Sequence, residues 1–148
     1  GPAAPSAFAY QQVLAGRVVN STLGAYTMLV EFIEAPVFTR LVASYLSDDD
    51  YRLLQWTLAK HPEMGIVVPR TGGIRKLRWE DRQGGKGKRG GLRVMYHYFP
   101  SDGQIWLLTL YDKDEATDLT APERAALRRV LEDEKRTRSG RRGSRKGR

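Results

Sequence analysis

Three strand-like segments in succession limit the fold of this chain more than any other feature of its sequence. They are IRKLRW (74–79), LRVMYHYF (92–99) and QIWLLTLY (104–111), and each is rich in aromatic, branched or long apolar residues. A glycine-rich loop separates the first two, and a Ser-Asp-Gly turn at 101–103 separates the last two. Strands joined by such connections pair antiparallel, so the sequence predicts an antiparallel meander.

The flanking segments complete an α+β pattern. They predict an opening strand at 28–34 and three helices, at 36–46, 48–60 and 121–136. Ser47 is a suitable N-cap for the second helix, and Thr120 with Glu123 forms a capping box for the third. The order β-α-α-β-β-β-α predicts an antiparallel sheet with the helices packed on one face.

The length of 148 residues suits one domain, which we place at 28–135. Residues 1–27 begin with GPAAPS and have no clean periodicity, so we interpret them as an N-terminal extension or a linker left by protein expression. Residues 136–148 contain seven Lys or Arg, no acid and no apolar residue. Their composition predicts a disordered basic tail.

The net charge of +8 is concentrated in two places. Residues 71–98 carry eight cations against Glu80 and Asp81, and the tail carries seven more. Such clustering indicates an anionic partner, most often nucleic acid.

The absence of cysteine excludes disulfides, zinc–thiolate sites and cysteine nucleophiles, and no apolar run is long enough to predict a membrane span.

Strand alternation predicts where the central cations point. Lys76 and Arg78 lie on one face of their strand, and Arg93 lies on the corresponding face of the next. The meander therefore predicts that these three share an open face, to which the last strand adds Tyr111 and, just beyond its end, Lys113. Two other residues are expected on the open face: Met95 and His97. The opposite face carries the predicted core: Leu77, Trp79, Leu92, Val94, Tyr96 and Tyr98.

The stretch GGKGKRGGLRVMY (84–96) places cations among glycines. Glycines allow a close approach of backbone to a polyanion, and a plain polar loop is the alternative interpretation. A phosphate-binding P-loop is excluded, because neither Lys86 nor Lys88 is followed by Ser or Thr.

Three stretches together resemble a known family: 72-GGIRKLRW-79, 86-KGKRGGLRVMY-96 and 107-LLTLYDKDEATDLT-120. They are similar to the HigB branch of the RelE/ParE superfamily, the toxins of bacterial toxin–antitoxin pairs. The resemblance covers roughly residues 28–135. It implies a compact RelE-like antiparallel sheet with helices against it.

The resemblance also implies an activity, a location and partners. The expected activity is metal-independent cleavage of messenger RNA in the ribosomal A site, in the bacterial cytoplasm, with no cofactor. The expected partners are the ribosome, mRNA and a HigA-like helix-turn-helix antitoxin, through which alone the toxin would reach operator DNA. Two alternatives remain: a non-catalytic nucleic-acid-binding module, and a gyrase inhibitor of the ParE type.

In this family the ribose 2′-hydroxyl attacks the adjacent phosphate, and the 5′-oxygen leaves. Matching the family's cationic positions gives four catalytic candidates: Lys76, Arg78, Arg93 and Lys113. Lysine accepts a proton more readily than arginine, so Lys76 is the candidate base and the two arginines would stabilise phosphate charge. The expected contacts to RNA or ribosome are Arg75, Lys86, Lys88, Arg89 and Tyr111. The C-terminal tyrosine common in RelE-like enzymes has no counterpart in 116–123.

Overall fold

A computed structural model describes residues 17–23, 26–80, 91–114 and 120–146. In these ranges six strands and three helices follow one another as β1 (Arg17–Leu23), β2 (Tyr26–Glu34), α1 (Pro36–Tyr45), α2 (Asp48–Lys60), β3 (Ile66–Val67), β4 (Arg75–Trp79), β5 (Leu92–Phe99), β6 (Gln104–Asp112) and α3 (Ala121–Lys146). Of these helices, none is long and apolar enough to cross a membrane.

The strands form one sheet in the order β1-β2-β6-β5-β4-β3. The predicted meander is confirmed, because β4 pairs antiparallel with β5, and β5 with β6. The prediction of a wholly antiparallel sheet is wrong, because β2 runs parallel to β6, with Glu31 beside Gln104 and Glu34 beside Leu107. A long connection through α1, α2 and three strands separates β2 from β6, and parallel pairing requires such a connection. The class is therefore α+β with a mixed sheet.

Helices cover both faces of the sheet, which corrects the expectation of one covered face. On one face, Phe38 of α1 and Leu54 of α2 pack with Val94. On the other, Leu127 of α3 packs with Met95, which is fully buried. The whole second cluster consists of strand residues, apolar residues of α3 and the loops, and one residue of α1: Ala35, Val37, Val68, Ile74, Met95, Phe99, Trp106, Leu108, Tyr111, Leu127 and Leu131.

An irregularity in β6 changes which of its side chains lie on the second face. Met95 pairs with Thr109 but Tyr96 pairs with Leu107, so Leu108 is an extra residue between two paired positions. Such a bulge shifts the alternation by one residue. It places Leu108 on the same face as Met95, where α3 then buries it.

The predicted helix starts are confirmed. The Ser47 hydroxyl accepts a hydrogen bond from the Asp50 amide at 3.1 Å. At the start of α3, the Thr120 amide donates to the Glu123 carboxylate at 2.8 Å, and the Glu123 amide donates to the Thr120 hydroxyl at 3.3 Å. Each bond satisfies an amide that has no partner within its helix.

A strand and a helix run across the two predicted domain boundaries. The boundary at residue 28 falls inside β2, which begins at Tyr26 and pairs antiparallel with β1. The tail predicted to be disordered is helical as far as Lys146. Composition missed this because Lys and Arg are good helix formers, and the segment continues a helix that the sheet already stabilises.

Arg138 fixes the far part of α3 to the body of the protein. Only 9% of this residue is exposed, although it lies in the basic tail. Its Nε donates to Glu134 at 2.8 Å, and its two terminal nitrogens donate to Asp102 at 2.5 Å and to Gln104 at 2.7 Å. The guanidinium also stacks 3.8 Å from the centre of the Phe99 ring. A buried charge with so many hydrogen bonds determines where α3 lies.

We expect Arg138→Met to lower the free energy of unfolding by about 3 kcal/mol, because the carboxylate of Glu134, only 4% exposed, would stay buried without its cation. Urea unfolding measures the change. The double substitution Glu134→Leu with Arg138→Met should recover most of the loss, since both charges are then removed.

Arg136→Met is the matched control. Arg136 pairs with Asp133 on the exposed side of the same helix, and such surface pairs contribute about 1 kcal/mol or less. An equal loss in the Arg136 and Arg138 variants would contradict the anchoring role.

Candidate nucleic-acid site

Three of the predicted catalytic cations lie together at the surface. In the register of β4 and β5, Arg78 is directly opposite Arg93, and Lys76 lies two residues along β4 on the same face. Residues directly opposite have Cβ atoms about 5 Å apart, and diagonal neighbours about 7–8 Å. Arg78 is exposed, and Lys76 and Arg93 are half-buried. We call these three residues the cationic cluster.

Among the described residues, the half of the predicted open face that contains Met95 and His97 is covered. Two residues along β5 from Arg93, Met95 is fully buried, and His97 is 8% exposed. Both were expected to face solvent. The sequence did not indicate that α3 would lie across this half of the sheet. Because α3 does so, the exposed part of this face, among the described residues, is the end that carries the cationic cluster.

Tyr111 lies opposite Arg93 on β6, as the meander predicted, but its side chain is only 6% exposed. Its ring belongs to the apolar cluster beneath α3. A buried ring cannot stack on an RNA base, so the structure does not place Tyr111 as an RNA contact.

Lys113 lies just past the end of β6, beside the start of β5. Its backbone amide donates to the Gly91 carbonyl at 2.7 Å, and its side chain is half-buried. Arg93 pairs with Tyr111 and Leu92 pairs with Asp112, so Lys113 is two register steps beyond the row that contains Arg93. The structure therefore brings Lys113 to the same end of the sheet as the cationic cluster.

Arg75 lies on the opposite face of β4. Its guanidinium donates to the carbonyls of Glu63 and Gly65, at 3.0 and 2.8 Å, and it approaches the Glu63 carboxylate at 3.5 Å. Arg75 thus holds the segment before β3 and does not join the cationic cluster. The same alternation that separates Lys76 from Leu77 could have indicated this placement.

The predicted loop contacts Lys86, Lys88 and Arg89 lie outside the described residues. The points where the loop leaves the sheet are described: β4 ends with Trp79, which pairs with Leu92 at the start of β5. This pair is the next register step after Arg78 and Arg93. The loop therefore begins and ends beside the cationic cluster.

Neither histidine joins the cluster. His61 follows α2 and is exposed. His97 lies deeper in the sheet, with Nδ1 3.1 Å from the Gly73 carbonyl oxygen and its ring against Phe99. Burial lowers the pKa of His97 to about 4, and the charges of Lys135 and Arg138 act in the same direction against the contact with Gly73. The ring is neutral at pH 7, and its burial keeps it from substrate.

The cluster has the chemistry of a phosphate site. Arginine offers a planar fork of donors that matches phosphate oxygens, and lysine adds a compact positive charge. Within the described ranges, no group of three or more His, Asp or Glu residues is arranged to hold a metal ion. The arrangement can bind a phosphodiester and stabilise added negative charge on it.

The buried His97 predicts a specific pH dependence of stability. Its pKa is about 4 in the folded protein and about 6.5 when unfolded, so the unfolded chain binds the extra proton between these values. The stability is complete above pH 6.5 and falls as the pH drops towards 4, by about 3 kcal/mol. Unfolding measured from pH 7 to pH 4 should show this loss, and His97→Gln should remove it.

His61→Gln serves as the control, because His61 is exposed and should leave the pH profile of the wild-type protein unchanged. Parallel pH profiles for the wild-type protein and the His97 variant would show that burial of this ring does not govern the acid sensitivity.

A search of models of protein families finds no match to this chain. The row of cations across β4 and β5, next to the glycine-rich loop, falls within the three stretches that resemble the HigB branch.

Proposed function

We propose that this chain is the toxin of a bacterial type II toxin–antitoxin pair, with a RelE-like fold of the HigB branch, and that it cleaves translated mRNA on the ribosome. The observation that carries the proposal is the register of β4 and β5, which puts Arg78 opposite Arg93 with Lys76 on the same surface. These are the positions at which the resemblance expects catalytic cations.

Two opposed arginines suit a ribose-phosphate. Like charges directly opposite each other on a sheet are unfavourable, and an anion between them offsets the repulsion. A phosphodiester gains negative charge on its oxygens as it passes through a five-coordinate phosphorane. Fixed guanidinium groups that bind those oxygens more tightly in that state lower the barrier.

The reaction proceeds by attack within the RNA. The 2′-oxygen forms a bond to phosphorus while its proton passes to Nζ of Lys76, the candidate base. The bond from phosphorus to the 5′-oxygen breaks, and this oxygen takes up a proton. The products are a 2′,3′-cyclic phosphate and a 5′-hydroxyl. Lys113, at the same end of the sheet, is the candidate donor of that proton.

The burial of Tyr111 supports dependence on the ribosome. With Tyr111 in the core, the described part of the cluster offers charge but no exposed aromatic ring of its own on which a base could stack. Alignment of the 2′-oxygen with the scissile bond must then come from elsewhere, and the A site supplies mRNA in a fixed conformation. Such alignment accounts for a large part of many rate enhancements.

The partners follow from the same proposal. A HigA-like antitoxin with a helix-turn-helix domain would block the toxin and carry it to operator DNA, and the setting is the bacterial cytoplasm.

A non-catalytic binding module is favoured by one observation: both histidines, the usual groups for metal-free RNA cleavage, lie away from the cluster. A ParE-like inhibitor would instead act on DNA gyrase.

The test is brief induction in bacterial cells, followed by mapping of new 5′ ends across the mRNA pool. We expect cuts within translated regions, in register with codons. Arg93→Ala should reduce cleavage by about 100-fold or more, the usual effect of removing one group that stabilises the transition state.

Arg52→Ala is the matched control, because Arg52 is an exposed arginine on α2 outside the cluster. It should cleave like the wild-type protein. Binding to RNA or ribosomes without any new 5′ ends would favour the non-catalytic module, and DNA damage without mRNA cleavage would favour the gyrase inhibitor. Either result would reject the proposal.

A further inference from the structure

The short strand β3 carries exposed apolar side chains beside the cationic cluster. In the part of the chain that the structure describes, three large apolar residues are exposed: Met64 at 46%, Ile66 at 75% and Val67 at 46%. Ile66 pairs with Lys76 of β4, so its side chain lies on the face that carries the cluster. We propose that Ile66 binds a nucleobase of the RNA whose phosphate the cationic cluster holds. The choice of RNA as the polyanion rests on the proposed function.

The register of β3 and β4 gives the spacing of this contact. Ile66 and Lys76 are directly opposite, so their Cβ atoms are about 5 Å apart, and Arg78 is the diagonal neighbour of Ile66 at about 7–8 Å. The base and the phosphate of a nucleotide are joined through one ribose ring. A base on Ile66 and a phosphate on the cluster therefore belong to the same nucleotide or to neighbouring ones.

The chain is fixed to the sheet on both sides of Ile66. The Val68 amide donates to the Ile74 carbonyl at 2.8 Å, and the Gly65 amide donates to the Tyr96 hydroxyl at 3.0 Å. Gly65 and Val68 are both buried, and a Cβ atom at position 65 would lie only 2.9 Å from the Tyr96 ring. Ile66 is thus held in place while its side chain is exposed, and its branched Cβ limits its rotamers. Little conformational entropy is lost when a base packs on it.

The open edge of β3 is poorly suited to a protein strand. Strand addition uses a row of N–H and C=O groups along an edge. Here the Gly65 amide is bonded to Tyr96, and the Gly65 carbonyl accepts from Arg75 at 2.8 Å. Further along, Pro69 has no N–H to donate. These features interrupt the row, whereas a base needs only the apolar surface of Ile66.

An aliphatic side chain binds the face of a base without reading its identity. Apolar side chains pack against bases, and burial of apolar surface is favourable for every base. The Ile66 side chain has no donor or acceptor, so the contact should tolerate any sequence. Without an occupant, an exposed branched apolar residue at a sheet edge is unfavourable, because edges are usually protected by charge.

The test compares the wild-type protein with Ile66→Thr, which keeps a branched strand former and removes most of the apolar surface. Fluorescence anisotropy measures binding to short 2′-O-methyl RNA, which lacks the attacking hydroxyl, and to a strand of equal length without bases. We expect Kd for the RNA to rise about fivefold, the effect of losing roughly half the burial of one isoleucine. Kd for the strand without bases should not change. The salt dependence should also stay the same, since no cation is removed.

Val67→Thr is the matched control. Val67 is exposed on the same strand, but it pairs with Arg75 and lies on the opposite face. Its substitution should leave both Kd values unchanged. Ile66→Tyr tests the opposite direction, because an exposed ring stacks on a base, and it should lower Kd for the RNA by about threefold.

Several results would overturn the proposal. They are an unchanged Kd in Ile66→Thr, an equal loss on the strand without bases, and an equal loss in Val67→Thr. A change of oligomeric state in Ile66→Thr with unchanged RNA binding would assign Ile66 to an interface between copies of the chain instead. Because the RNA in this assay cannot be cleaved, a base-dependent loss would support the role of Ile66 even if the protein proved not to cut mRNA.

Discussion

The position of α3 across the sheet is the constraint on which the rest of the structure depends. Arg138 is held by Asp102, Gln104 and Glu134 and stacks on Phe99. A buried charge needs close partners, and each of the three guanidinium nitrogens of Arg138 has one, so a shift of the helix would break these hydrogen bonds.

A second contact fixes the helix near the edge of the sheet formed by β3 and β4. Lys135 donates to the Gly72 carbonyl at 2.8 Å, in the turn that joins β3 to β4. Gly72 and Gly73 have positive φ angles of 82° and 117°, which few other residues adopt without strain. The turn places the Gly73 carbonyl beside His97, so it helps α3 to cover that face of the sheet.

Closure of that face is what defines the candidate site. With α3 over Met95 and His97, the cationic residues of β4 and β5 lie beyond the half of the face that this helix covers, next to the ends of the glycine-rich loop. The charged side chains lie where water or a phosphate can reach them. The apolar half of the face is shielded from water by α3. The repulsion between Arg78 and Arg93 is reduced at this end of the sheet, because solvent and salt screen charges that lie near the surface.

The sequence by itself determined four of the six strands, the presence of the three helices, the meander and the face shared by Lys76, Arg78 and Arg93, because these depend on local periodicity, helix caps and short connections. It did not determine the parallel pairing of β2 with β6, the short strand β3, or the face that α3 covers. Those depend on contacts between residues far apart in the chain, such as Arg138 with Asp102. Only the tertiary structure decided that Tyr111 and His97 are buried, because a bulge at Leu108 and the packing of α3 leave no trace in strand alternation.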